Sequence, residues 1–423
     1  MPSGSTESSL AAGAAVQEVS RLAGLKQVHE AMAWFRAHEP ELRQRQMELA
    51  VIPAPPFGEA ARAQWVAERI RELGLEDVHI DSVGNVFGLR RGSDPQRLVA
   101  VTAHLDTVFS AGTPLNIRSE GERLCGPGIS DNAAGVVGML AIAAALQSAA
   151  IEHAASIVFV GNVGEEGEGD LRGMRHIFCD PRWNQAITST VVLDGAAIDT
   201  IVTEALGSKR FEVTVHGPGG HSWSDFGAPN PIVILARAIA RFSEMKLPGD
   251  PKTSCNVGVI SGGTSVNSIP ESADMRVDIR SSSLEEIQRV EQALLEALDE
   301  AVAPHAAKSR RDGRRVNFEM RLIGSRPAAE LDPNARILQV IRAVDAHLGN
   351  KARVHRASTD ANIPLSLGGE AISIGAGGTG GGAHTMQEWY DPGGRDVGLK
   401  RVLLTVLALA GVPEKSAGKR DQP

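Results

Sequence analysis

Apolar and polar positions along the chain follow two successive grammars. From about Val16 to His38, and again from Gly58 to Leu73, hydrophobic residues recur at helical spacing. The second stretch stops at Gly74, a residue type that ends helices because it accepts left-handed backbone. Val78–Asp81 and Asn85–Leu89 read as short strands. Leu98–His104, Ser156–Asn162 and Thr190–Leu193 are nearly unbroken apolar runs, the pattern of strands buried on both faces. Between the first two lies Asp131–Ala150, a helix of small residues. Strands alternating with helices at this spacing predict an α/β domain, an α/β/α arrangement around a mixed, mostly parallel central sheet.

After Gly207 the grammar changes. Phe211–Val215 alternates, Pro231–Met245 is helical, Asn256–Ile260 and Met275–Ile279 are strands, Leu284–Val302 is helical and Val316–Leu322 alternates again. That is β-α-β-β-α-β, a ferredoxin-like α+β order complete in itself. Pro333–Leu348 then returns to an amphipathic helix, with Asp332 as its expected N-cap, and Glu370–Ile374 is a further apolar strand. The pattern predicts one domain, 15–207 plus 325–413, interrupted by an inserted domain, 208–324. The Ser/Gly/Ala-rich residues 1–14 and the tail 414–423 are expected to be disordered. No repeat of about 20–50 residues is evident.

Composition adds exclusions. Aromatics make up only 4%, so the cores must rest on Val, Ile, Leu and Ala. A net charge of −8 argues against nucleic acid as a partner, since such binding needs clustered Lys and Arg. The short basic stretch Arg310–Arg315 reads as a solvated loop. Cys125, Cys179 and Cys255 are odd in number and far apart, which speaks against a disulfide framework or a Cys-ligated zinc site and for a cytoplasmic location. No apolar run approaches the about 18 residues of a membrane span, and the N-terminus has neither a basic region nor an apolar one. A soluble, unexported protein with no membrane partner is expected.

The chemistry-bearing residues fall where buried strands end or helices begin. Leu98–Ala103 runs into His104 and Asp106; G-P-G-I-S-D-N puts Asp131 at a helix start. Ser156–Asn162 runs into Glu165 and Glu166, V-V-L-D ends in Asp194, and G-G-G-A-H-T carries His384. Ligands of open α/β sheets gather at the carboxyl ends of the strands, so these residues point to one place. Imidazole and carboxylate without cysteine suit zinc, and two His with three carboxylates hold two divalent ions if one carboxylate bridges. One of the two glutamates is then free to act as general base toward water activated by the metals. Asp106, two residues past His104, is placed to hold the other nitrogen of that imidazole. Alone, each acid reads as a helix cap or a solvated charge; together, at the ends of apolar strands, they would be costly to bury without cations.

The segments AHLDTV, GPGISDNAAG, GNVGEEGEGDLRG, VVLDG, GPGGHSWSDFG, GGTSVNSIP and GGGAHTMQEWYD resemble the M20 metallopeptidases, in family order over roughly residues 20–412. That family includes tripeptide aminopeptidases, dipeptidases, glutamate-releasing carboxypeptidases, acetylornithine deacetylases and succinyl-diaminopimelate desuccinylases. The resemblance implies a zinc-peptidase-like catalytic domain carrying a ferredoxin-like lid that dimerises the protein. It makes His104 and Asp194 ligands of one metal ion and Glu166 and His384 ligands of the other, with Asp131 bridging. Zinc is favoured, with manganese or cobalt also compatible. Glu165 becomes the general base and Asp106 the residue that orients His104. His221 of G-G-H-S matches a residue that reaches the partner subunit's site and stabilises the oxyanion, and Asn267 and Arg280 match lid residues that contact substrate. An Asp in V-V-L-D-G accords with the peptidases and deacylases, whereas the ureide and carbamoyl amidohydrolases tend to place a His there. The Gly-rich 375–382 stretch followed by A-H-T-M-Q-E-W-Y is most like the tripeptidase-type members.

The expected function is hydrolysis of an amide or peptide bond in a small substrate, a di- or tripeptide or an N-acyl amino acid. The alternatives are a non-peptide C–N hydrolase of the same family and, more remotely, a non-catalytic homologue used for binding. Gly375–Gly380 fits G-x-G-x-x-G, but the A-H-T-M-Q-E-W-Y-D-P-G-G segment beyond it is a poor helix, which disfavours a dinucleotide site. Neither a G-x-S-x-G elbow nor H-E-x-x-H occurs, which removes the serine-hydrolase and commonest one-zinc designs.

Overall fold

The computed structural model describes residues 4–305 and 315–413, with side chains from residue 12 onward. Arg310, Arg311 and Arg314 of the basic stretch and the tail 414–423 lie outside the described residues. The chain forms two compact units, Met1–Glu204 with Glu330–Pro423, and Ala205–Ala329.

The first unit is built on a nine-stranded mixed sheet. Its strands lie in the order Glu76–Ile80, Val86–Arg90, Ala155–Asn162, Asp94–His104, Ile187–Leu193, Ala371–Ile374, Thr200–Ala205 and Ala329–Glu330, with Arg353–Ala357 also paired to Thr200–Ala205. The four central strands are mutually parallel, so their carboxyl ends share one edge. Their apolar runs are buried because helices cover both faces. On one face Arg172–Cys179 packs Leu171, Met174, Ile177 and Phe178 against Phe87, Ala100, Val158 and Val160. On the other lies Ala133–Ser148, buried all round and itself covered by Lys26–Ala37, Glu39–Ala50 and Arg395–Ala410. A bidentate pair between Arg401 and Asp345, 2.6 and 2.9 Å, ties Arg395–Ala410 to Arg336–Leu348 inside the protein.

Three sequence expectations shift here. The pattern from Val16 to His38 is two helices, Gly4–Ala23 and Lys26–Ala37, parted at Gly24 and Leu25. The first begins at Gly4, within the segment expected to be disordered; its composition of Ser, Ala and Glu is compatible with helix once its later turns are packed. Asp332 accepts the Asn334 N–H at 2.7 Å in a turn upstream, and the helix starts only at Arg336. The Glu370 carboxylate instead accepts the N–H groups of Arg336 and Ile337 at 2.9 and 3.0 Å.

The second unit is the β-α-β-β-α-β block. Gly207–His216, Thr253–Gly262, Ser272–Ser281 and Asn317–Arg326 form an antiparallel sheet in which Ser272–Ser281 and Gly207–His216 are central. Pro231–Ser243 and Leu284–Val302 pack on it through Ile234, Leu235, Ala238, Val290, Leu294 and Leu298. Asn230 and Ser283 cap these helices with their side chains, as Asn-Pro and Ser before an acidic first turn predict. A ribbon of Gly220–His221 against Ser268–Ile269 projects from the end of the sheet marked by the His216–Ser272 pair.

Candidate metal centre

Each piece of the site arrives on the shared edge of the parallel strands. His104 ends one strand, Glu165 and Glu166 follow Ala155–Asn162, and Asp194 follows Ile187–Leu193. Asp131 lies just ahead of the helix Ala133–Ser148. Its neighbour Asn132 fixes that junction: the amide oxygen accepts Gly135 N–H at 3.1 Å and Gly195 N–H at 2.9 Å, while the amide nitrogen donates to the Leu193 carbonyl at 2.9 Å. One buried side chain thus holds the Asp131 and Asp194 segments together. A Cβ on Gly135 would stand 2.1 Å from the Asn132 side-chain oxygen and 2.6 Å from the Leu193 carbonyl, so only glycine allows this approach.

The result is two donor groups sharing one residue. His104 Nε2 lies 3.2 Å from Asp131 Oδ1 and 3.7 Å from Asp194 Oδ1. His384 Nε2 lies 3.1 Å from Asp131 Oδ2 and 3.0 Å from Glu166 Oε1. Within each trio, His104–Asp131–Asp194 and Asp131–Glu166–His384, the ligand atoms all fall within 4.8 Å of one another. Asp131 presents a different oxygen to each. Three mixed nitrogen and oxygen donors around a common point suit a divalent ion such as zinc, so the residues fit a dinuclear centre.

The supporting charges are set by burial and neighbours. The fully buried Asp106 accepts the N–H groups of Glu165 and Glu166 at 3.0 and 2.7 Å, and its carboxylate stands 3.6 Å from His104 Nδ1. His104 Nδ1 also reaches the Asp106 carbonyl at 3.1 Å, which turns Nε2 toward the donor group. Burial opposes a charge on His104, but Asp106, Asp131 and Asp194 outweigh it and hold its imidazole well above the usual range. His384 is pushed up to about 10 by its bonds to Asp131 and Glu166. Burial would raise the Asp131 carboxyl, yet the two imidazoles hold it low. Arg62, buried behind the site, donates to the carbonyls of Ile52 and Leu105; burial lowers it to about 10, so it keeps its charge beside Asp106. His384 takes a left-handed backbone, φ 64°, uncommon for a side-chain-bearing residue and typical of functional sites.

Two acids that sequence reasoning missed complete the surroundings. Glu388, fully buried, accepts Gly128 N–H at 2.8 Å on one oxygen and the N–H groups of Ser130 and Asp131 at 2.7 Å each on the other. Burial outweighs these bonds and pushes its carboxyl up to about 7. An acid four residues beyond His384, entering the short strand Trp389–Asp391, is the signal the sequence offers. Asp360, also fully buried, accepts the Asn162 amide at 2.7 Å, and burial pushes it to about 7. Nothing in S-T-D-A-N announces it.

The remaining expected site residues lie in the second unit. His221 is exposed on the projecting ribbon, and the Ser222 N–H donates to the Asn267 carbonyl at 2.9 Å, so His221 and Asn267 share one tip. Arg280 is eight residues along the strand from Ser272, about 25 Å at strand rise, and its guanidinium bonds Asp278 at 2.7 Å. Within this unit, His221 and Arg280 therefore occupy opposite ends of the sheet.

Comparisons with known proteins match parts of both units. Residues 203–306 match the M20 peptidase dimerisation domain, and residues 85–210, which carry His104, Asp131, Glu165, Glu166 and Asp194, match peptidase family M28. An uncharacterised protein, YqjE, of Bacillus subtilis is 21% identical over 80% of this chain and 91% of its own length. A succinyl-diaminopimelate desuccinylase of Burkholderia pseudomallei is 28% identical over 56% of this chain and 67% of its own. Among solved structures, a tripeptidase of Staphylococcus aureus shares the fold with a TM-score of 0.71 at 21% identity, covering 88% of this chain and 98% of that one.

Proposed function

We propose that this chain, a metal-dependent hydrolase of the M20 type, cleaves the C–N bond of a di- or tripeptide or an N-acyl amino acid with two divalent ions, zinc by preference. The observation that carries the proposal is the pair of donor groups joined through the two oxygens of Asp131. His104, Asp131 and Asp194 would hold one ion, and Asp131, Glu166 and His384 the other. Bound there, the ions supply Lewis acidity toward water and the scissile carbonyl.

The chain's own residues do the rest. Glu165 stands outside both donor trios, next to the ligand Glu166, and its N–H is fixed by Asp106. It takes the proton from the attacking water and returns it to the leaving nitrogen. Asp106 keeps His104 in one orientation and anchors both glutamates. His221 donates to the developing oxyanion, and Asn267 and Arg280 contact the substrate. Because Arg280 lies at the opposite end of the sheet from the His221–Asn267 tip, it reaches a given substrate from a different chain of the dimer than that tip does. A homodimer is proposed through the second unit: Val259 and Ile260 on the edge strand Thr253–Gly262 are 51% and 57% exposed, near exposed Ile232 and Val233 on the adjoining helix. The three free cysteines favour a reducing, cytoplasmic setting. No described helix is long and apolar enough to cross a membrane.

The test is a substrate panel run with metal analysis. Tripeptides, dipeptides, N-acyl amino acids and aryl amides are assayed with zinc, manganese or cobalt. Two ions per active chain and turnover of the peptides or acyl amino acids support the proposal; turnover of aryl amides alone selects the non-peptide alternative. Full activity with a single tightly bound ion ends the two-metal reading.

A further inference from the structure

His221 is exposed, so no core packing holds its ring. An exposed imidazole ordinarily samples several rotamers and both neutral tautomers, a poor arrangement for a donor that must meet charge at one point. The loop around it supplies the missing order. The N–H groups of Trp223 and Ser224 both point at His221 Nδ1, at 3.2 and 3.4 Å. A nitrogen that accepts main-chain N–H groups is the unprotonated one, so of the two neutral tautomers only the Nε2–H form fits. Nε2–H is then the ring's remaining donor.

Those two N–H groups are in place because the turn is closed at both ends by one residue. The Asp225 carboxylate accepts the His221 N–H at 2.8 Å, and the Asp225 N–H donates to the His221 carbonyl at 2.9 Å. Gly220, at φ 154°, leaves room for this: a Cβ there would lie 2.8 Å from the Asp225 Oδ2 atom. The ribbon pairing of His221 with Ser268 fixes the other side of the loop.

We propose that Asp225 is a positioning residue that, by closing the His221–Asp225 turn, holds the His221 ring in the Nε2–H tautomer with that N–H free to donate. The catalytic consequence rests on the reading of His221 as the oxyanion donor; the tautomer itself does not. Asp225 touches no reacting atom. It acts through the direction and protonated nitrogen of its neighbour.

The experiment pairs kinetics with nitrogen NMR of the full chain labelled on its histidines, with His221→Ala identifying the signal. The unaltered protein should show His221 with Nε2 protonated and Nδ1 bare. Asp225→Ala should mix the tautomers and lower kcat on the order of tenfold with KM changed less than about twofold, a loss smaller than the roughly hundredfold expected of His221→Ala. Asp225→Asn keeps an acceptor oxygen and should restore most of the rate and the single tautomer. If Asp225→Ala leaves both the tautomer and kcat unchanged while His221→Ala is impaired, the positioning role is overturned. If His221→Ala keeps full kcat, the oxyanion reading falls instead, and the NMR comparison alone decides whether Asp225 holds the ring.

Discussion

Asp106 accepts the N–H groups of both adjacent glutamates, yet only one of their side chains enters a donor trio. Glu166 Oε1 stands 3.0 Å from His384 Nε2, inside a donor trio, whereas Glu165 belongs to neither. Glu165→Gln should therefore lower kcat by on the order of 10²–10⁴-fold with metal content unchanged; retained activity, or loss of metal on elemental analysis, would reverse the assignment. Glu388 is a different case. Its two oxygens serve three N–H groups of the Asp131 loop, and a glutamine has one acceptor oxygen. Glu388→Gln should weaken metal binding by about 10–100-fold, read by competition with a chelator, because the Asp131 loop loses its mount. Protons compete at the same atoms. With His104 held well above the usual range and His384 at about 10, both imidazoles of metal-free protein carry a proton at pH 7. Their raised values mean that the ion pairs stabilise metal-free protein fully below the ordinary imidazole pKa, and that for His384 this stabilisation is lost as pH rises through about 10. Loading at pH 7 should then release about two protons per chain, and affinity should climb with pH. Calorimetry in two buffers of different ionisation heat measures the release; none would mean the imidazoles are already neutral.

At the scale of elements, what the sequence shows is what depends on runs of neighbours, and what it hides is what depends on distant ones. The parallel strands were legible because burial on both faces demands unbroken Val, Ile and Ala, and the acids after them stood out against that background. Asn132, Glu388 and Asp360 were not, because their work is to bind groups in segments far along the chain, such as Gly195 for Asn132 and Gly128 for Glu388. Helix starts show the same division. Asp332 looks like a cap by local rule, yet the cap of Arg336–Leu348 is Glu370, 34 residues away in sequence. Glu370→Ala removes the acceptor of two first-turn N–H groups and should destabilise the first unit by about 1 kcal/mol in urea denaturation. Asp332→Ala should cost less; the reverse order would restore the local cap.

For the whole molecule, the inserted unit presents an open sheet edge, Thr253–Gly262, bearing exposed Val259 and Ile260. Such an edge invites an isologous two-fold pairing with the same strand of a second chain. If the pair forms and His221 serves its partner's metal centre, the two halves of one active site come from different chains. His221→Ala and Glu165→Gln chains, each nearly inactive alone, should then complement when mixed. In a mixed dimer, one site has the intact Glu165 of the His221→Ala chain and the intact His221 of the other; the second site lacks both. Statistical exchange makes about half of the dimers mixed, each with one working site of two, so about a quarter of the unaltered activity should return. Subunit exchange is followed independently by tagging one chain and recovering the other with it. Exchange without recovered activity would mean that His221 acts in its own chain, a geometry in which every site in the mixture still lacks either its base or its oxyanion donor, or that it acts only structurally.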